Sequence, residues 1–302
     1  MSLIWWITIL FVITGMVVLM IHLTSSSVWE ILSHRHMYCT LNKTCLTNTH
    51  IPKKIYRVWV SDGSMSQTSD PMTEANKKAW DFTAEHNPDY EQVLITDAQA
   101  DVIMKRVLGG SVYDTYISLV PGAAKADLLR YAIMYEYGGV YLDMKSGARS
   151  LCKLIQPSDR MLVSTWSTTR WSMVIYLAPI KHSRFGEFQQ WWLVCCPRHP
   201  IIRVVIEDIV RDIQTRKRNS RCQKETTRAK MLGIQLPHAS DVLNTTGPWA
   251  FTRAVIKARE TSELPVRTVC VDGNGVFVYD VAGTHVGGAS YWKEGPLLRC
   301  DR

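Results

Sequence analysis

Three side chains in one short stretch have the types and spacing to act on a substrate that carries hydroxyls and negative charge. Asp127 and Arg130 stand three apart within the apolar-periodic run from Ala123 to Tyr137, so both fall on one face of the helix that the run predicts. Asp143 closes the run Val140-Tyr141-Leu142-Asp143, whose β-branched and aromatic residues predict a short strand. An aspartate can accept hydrogen bonds from sugar hydroxyls, and an arginine can hold a phosphate or a carboxylate. The same spacing also describes an intrahelical ion pair on a solvated face, worth only a few tenths of a kcal/mol. Spacing alone leaves both readings open.

The elements that must position these residues follow from the flanking pattern. Residues 24–50 are polar and weakly periodic and read as a stem, and Ile51-Pro52 opens a compact region. Lys54 to Val60 alternates and predicts a strand, Met72 to His86 a helix, and Glu91 to Thr96 a second strand. Asp97 is placed to cap a helix over about 98–108, which Gly109-Gly110 ends. The Asp127 helix then stops at Gly138-Gly139, where a helix C-cap and a close backbone approach are both served by glycine. Strand, helix, strand, helix, strand predicts a mostly parallel sheet with helices on both faces. In such sheets ligands bind at the carboxyl ends of the strands, where strand order reverses, which is where Asp143 should lie.

Beyond residue 150 the pattern is less regular. Met161 to Thr165, Met173 to Ala178 and the doubly buried Trp191 to Cys196 predict strands, and Pro200 to Thr215 and Gly247 to Glu260 predict helices. Val266 to Val271 and Gly275 to Asp280 read as late strands joined by a turn at Asp272-Gly273-Asn274. Residues 211–230 carry eight Lys or Arg, a patch for acidic headgroups or a solvated loop.

Composition bounds the rest. The chain has 302 residues, 46% hydrophobic and 21% charged, which excludes a disordered or collagen-like chain. A net charge of +8 favours anionic partners without choosing among them. Leu3 to Leu23 is an apolar run with no charged residue in 1–23, long enough to cross a bilayer and longer than a typical cleaved leader. We therefore expect a transmembrane signal-anchor at 1–23, a stem at 24–50 and a catalytic domain over 51–302. The membrane segment and the lack of a binding motif argue against nucleic acid as a partner. Asn42-Lys43-Thr44 and Asn244-Thr245-Thr246 fit the N-glycosylation pattern. The eight cysteines lack zinc-site spacing, so pairings such as Cys39–Cys45 and Cys270–Cys300 are expected in an oxidising lumen, with Cys195 and Cys196 equally readable as buried thiols.

The stretch Lys125-Ala126-Asp127-Leu128-Leu129-Arg130-Tyr131 through Tyr137-Gly138-Gly139-Val140-Tyr141-Leu142-Asp143 resembles the sugar-binding region of glycosyltransferases carrying an Asp-X-Asp motif, a family that includes yeast α-1,6-mannosyltransferases and mannosyl-inositol-phosphoceramide synthases. Ile51 to Trp59, Asn87 to Glu91 with Asp97, Thr246-Gly247-Pro248-Trp249, and His285 with Ser290-Tyr291-Trp292 resemble further family elements in order. The resemblance implies a GT-A fold of the α/β class, Rossmann-like, with a mostly parallel sheet flanked by helices. It also implies a nucleotide-sugar donor (GDP-mannose or a UDP-hexose), a glycan or glycolipid acceptor, retention of anomeric configuration, and a lumenal domain in the Golgi or ER membrane. By the same resemblance Asp127, Arg130 and Asp143 are catalytic. Trp59, Tyr131, Gly138, Gly139, Lys145 and His285 join them around the donor, and Asp143 and His285 hold Mn2+ or Mg2+.

One position departs from the motif, where Asp143-Met144-Lys145 stands in place of Asp-X-Asp. In an extended backbone two such carboxylates share a face and can hold one divalent ion, which a protonated lysine cannot do. Three readings follow: a divalent ion held by Asp143 with His285, a Lys145 counter-charge for the diphosphate, and an inactive site kept for glycan binding or scaffolding.

Overall fold

The computed structural model describes residues 51–60, 70–166, 186–218, 238–261, 266–270, 272–283 and 297–298. The expected anchor, the stem, the strand at Met173 to Ala178, most of the basic patch, His285, and Cys39, Cys45 and Cys300 lie outside them. No helix among the described residues is long and apolar enough to cross a membrane.

Among the described residues, six strands form the main sheet. They are β1 (Lys54–Val58), β2 (Glu91–Ile95), β3 (Gly139–Leu142), β5 (Met161–Val163), β6 (Trp192–Cys195) and β7 (Val266–Thr268), in the order β2-β1-β3-β6-β5-β7. A two-residue β4 (Gly147–Ala148) pairs with β8 (Phe277–Val278) in a separate ribbon. β1 is parallel to β2 and to β3, β7 is parallel to β5, and β6 runs antiparallel to both β3 and β5. The expected mostly parallel α/β sheet is present, with one strand reversed. Strand alternation sends Tyr56, Tyr141, Leu193 and Met161 into one apolar layer and Ile55, Val140, Trp192 and Leu162 into the other.

The helices that build the larger layer are α2 (Asp97–Arg106), α3 (Gly110–Ser118), α4 (Gly122–Tyr137), α6 (Pro200–Arg218) and α8 (Pro248–Thr261); α1 (Glu74–His86) packs near β4, α5 (Leu151–Leu154) joins the other layer, and α7 (His238–Thr245) precedes α8. Three local expectations change. Thr96, not Asp97, caps α2, through a capping box with Gln99. The Gly109-Gly110 pair does not simply end α2, because Gly109 at φ 90° starts α3, a helix hidden in the mixed sequence GSVYDTYIS. The turn at Asp272-Gly273-Asn274 does not make a hairpin, since β7 pairs with β5 and β8 with β4.

The chain runs from β1 to β2 on one side and reaches β3 on the other side of β1. Strand order therefore reverses at β1, and the crevice at the carboxyl ends of β1 and β3 is the place where such sheets take ligands. Trp59 follows β1 there and Asp143 follows β3. Because β6 is antiparallel, it enters the sheet at this same edge, bringing Gln189, Gln190 and Trp191 beside Asp143.

Candidate active site

Helix α4 runs back along β3, so its early residues return to the level of Asp143. From Tyr137 back to Asp127 is about 15 Å of helix rise, matching about 13 Å of strand over β3. Asp127 and Arg130 are 5% and 7% exposed, so the solvated-face reading does not hold here. Arg130 Nη2 lies 3.0 Å from Asp127 Oδ1, and Nη1 lies 3.2 Å from Asp143 Oδ1. Nη1 also donates to the Gln190 carbonyl at 3.0 Å, and the guanidinium lies over the Tyr141 ring. One cation thus joins two carboxylates from different elements.

Asp127 is held on both oxygens. Gln190 Nε2 donates to Oδ1 at 3.1 Å and Thr246 Oγ1 donates to Oδ2 at 3.0 Å. Burial pushes its carboxyl up to about 6, against the pull of Arg130 and Thr246 toward the ionised form. Burial opposes the charge of Arg130, but Tyr141, Asp143 and Asp127 outweigh it and hold the guanidinium firmly protonated. Asp143 keeps more access to solvent, with its side chain 28% exposed against 7% for Asp127, and its Oδ1 accepts from Tyr141 Oη at 3.0 Å.

The segment after β3 is not extended. Ser146 N–H donates to the Asp143 carbonyl at 2.9 Å, which closes a turn over 143–146, so Asp143 and Lys145 do not share a strand face. Arg57 holds this turn from below. Its Nη1 donates to the carbonyls of Asp143, Met144 and Ser146 at 2.7, 3.1 and 2.6 Å, and its Nη2 reaches Ala79 O at 3.3 Å and Thr83 Oγ1 at 3.0 Å. Arg57 is fully buried, which draws its guanidinium down to about 10. On the far side Ser146 Oγ donates to Tyr279 O at 2.6 Å and Val281 N–H to Lys145 O at 3.1 Å. The Lys145 ammonium lies 4.3 Å from the centre of the Tyr279 ring, half-buried. Burial draws it below the usual lysine range, while Asp143 and Asp280 oppose that shift.

The structure sorts the expected residues. Asp127, Arg130 and Asp143 converge, Lys145 borders them, and Trp59 stands partly exposed at the end of β1 with its N–H on Ile95 O at 2.9 Å. Tyr131 is fully buried, stacks on Phe251 and donates its hydroxyl to Gln190 Oε1, so it reaches the site through Gln190. Gly138 and Gly139 lie at the opposite end of β3. A Cβ on Gly138 would meet Pro197 at 2.6 Å and one on Gly139 would meet Lys54 O at 2.6 Å, so their smallness serves close packing of α4, β1 and β6. For a divalent ion, Asp143 is in place and His285 lies outside the described residues. No group of three candidate ligands occurs among the described residues, and the second motif position presents an ammonium. The described residues therefore do not by themselves compose a divalent-ion site.

Arg57, Gln190, Thr246 and Tyr279 were not among the expected site residues. Arg57 could have been found as a charge set between the apolar residues Tyr56 and Val58 of an expected strand. Thr246, read both as the end of a glycosylation triplet and as the start of a Thr-Gly-Pro element resembling the family's, is fully buried on Asp127, and Asn244 accepts from Arg253 at 2.6 Å. Cys195 is buried and, with Cys196, a free thiol.

Residues 73–159, which include Asp127, Arg130, Asp143 and Lys145, match the glycosyltransferase sugar-binding region containing DXD motif. This match agrees with the resemblance seen in the sequence. The chain is 26% identical over 216 residues to the initiation-specific alpha-1,6-mannosyltransferase of Candida albicans, across 68% of this chain and 52% of that protein. It is 32% identical over 103 residues to inositol phosphoceramide mannosyltransferase 3 of Schizosaccharomyces pombe, across 32% of this chain and 25% of that protein. The chain thus spans about half the length of the first of these relatives. Among solved structures it resembles the UDP-bound glycosyltransferase domain from the YGT toxin at a TM-score of 0.46 and 10% identity, covering 77% of this chain and 84% of that one.

Proposed function

We propose that this protein is a retaining hexosyltransferase of GT-A type that moves a hexose from a nucleotide-sugar donor to a glycan or glycolipid acceptor. The observation that carries this reading is the buried Asp127–Arg130–Asp143 array at the switch point of the sheet, inside the residues that match the sugar-binding region. The names of the relatives, an alpha-1,6-mannosyltransferase and an inositol phosphoceramide mannosyltransferase, favour mannose and hence GDP-mannose over a UDP-hexose. The apolar run at 1–23 supports a single-pass anchor in the Golgi or ER membrane with the domain in the lumen.

In this reading Asp127, ionised, accepts hydrogen bonds from donor-sugar hydroxyls, with Thr246, Gln190 and Arg130 fixing its two oxygens beforehand. Asp143, the more accessible carboxylate, meets the donor at the ribose or sugar, and Trp59 borders the base. The bond from the anomeric carbon to the diphosphate breaks, the acceptor oxygen bonds to the same face of that carbon, and the acceptor proton passes to the leaving diphosphate. No protein nucleophile is needed, so no carboxylate pair at glycosidase spacing is required. The scaffold alternative is less well supported, because burying the Asp127 carboxylate and the Arg130 guanidinium costs stability that pure binding would not require.

The test is donor turnover by the full chain in detergent, given GDP-mannose, UDP-galactose, UDP-glucose and UDP-N-acetyl sugars with mannoside and glycolipid acceptors. We expect one donor to release its nucleoside diphosphate and the acceptor to gain one hexose in the α-configuration. A folded protein that turns over none of them would overturn the reading.

A further inference from the structure

Resting on that reading of the site, we propose that the Lys145 ammonium is the counter-charge of the donor diphosphate, so that donor binding and transfer proceed without a divalent ion. Three observations carry it. The turn over 143–146 removes Lys145 from the strand face that it would share with Asp143 in an extended backbone. The turn is fixed on both sides, by the three carbonyl contacts of Arg57 below and by the Tyr279 and Val281 contacts above. The ammonium lies 4.3 Å from the centre of the Tyr279 ring, in the field of the Asp143 and Asp280 carboxylates.

Among the described residues, the two arginines that touch this turn or Asp143 are buried. Arg57 is fully buried on backbone carbonyls, and Arg130 is 7% exposed between Asp127 and Asp143. Lys145 stands at the rim, half-buried, where an arriving diphosphate can meet it. A compact ammonium serves there as a point charge, and a partly desolvated one interacts more strongly than it would in water. As the bond from the anomeric carbon to the diphosphate breaks, negative charge grows on the leaving oxygen beside it. The acceptor proton still ends on the diphosphate, and the lysine keeps its own.

The experiment is calorimetric titration of the full chain in detergent with GDP and with UDP, in EDTA and then in Mn2+, for wild type, Lys145→Gln and Lys145→Asp, with circular dichroism confirming that each variant is folded. We expect wild type to bind one nucleotide equally in EDTA and Mn2+, Lys145→Gln to bind it at least about tenfold more weakly in both, and Lys145→Asp to regain binding only in Mn2+. Wild-type binding that vanishes in EDTA, or a folded Lys145→Gln that binds as wild type does, overturns the role of Lys145 and leaves the transferase reading standing. Failure of wild type to bind either nucleotide in both conditions overturns that reading and this inference together.

Discussion

Arg130 Nη1 lies 3.2 Å from Asp143 Oδ1 while Nη2 of the same guanidinium lies 3.0 Å from Asp127 Oδ1. The helix carboxylate and the strand-end carboxylate are therefore one unit, set by a planar fork whose two nitrogens point to different partners. Arg130→Lys keeps the charge and loses the fork, so one carboxylate must be released. We expect kcat/KM for the donor to fall about 100-fold with the protein still folded; steady-state kinetics with the preferred donor checks this.

Asp127 gives the site a pH dependence. Its carboxyl titrates near 6, so it is charged above that value and neutral below it. If the ionised form is the one that accepts from the donor, kcat/KM should fall as pH drops through about 6. Thr246→Val removes a hydrogen bond that favours the charged form. The acid limb should then move to higher pH, and a pH–rate profile of the two proteins reads the shift.

Arg57 bears on stability as well as on the turn. Arg57→Met leaves the carbonyls of Asp143, Met144 and Ser146 without their common donor in a buried place. Loss of hydrogen bonds from a charged group should cost about 3 kcal/mol, measured by urea denaturation. Arg57→Lys should recover little, because one ammonium cannot serve both Ser146 O and Thr83 Oγ1.

Gly139→Ala separates packing from chemistry. The added Cβ meets Lys54 O at 2.6 Å and the residue sits at φ +96°, which together should cost about 2–4 kcal/mol. Thermal unfolding should shift down accordingly. The fraction that remains folded at low temperature should keep wild-type KM for the donor, because this glycine opens β3 at the end away from Asp143.

The strands through β3 and the helix before Gly138 were legible in the sequence, because alternation in KIYRVWV and helical spacing before Gly138 are strong local signals. The sequence carried α3 poorly, since GSVYDTYIS mixes small, polar and β-branched residues and its burial is decided by α2 and α6 packing on it. The Asp127–Arg130–Asp143 triad was legible because all three fall within one helix–strand unit. Gln190 and Thr246 were not, since only the reversed entry of β6 and the turn before α8 bring them to Asp127. The bend at Asp143 was also hidden, because an isolated Asp-Met-Lys gives no sign that Arg57 gathers its carbonyls.

The most direct test of the site is donor turnover by wild type beside Asp127→Asn and Asp143→Asn, prepared alike and shown to be folded. We expect wild type to turn over one nucleotide sugar and each variant to lose at least about 100-fold in kcat/KM. Equal turnover by wild type and either variant would contradict that expectation.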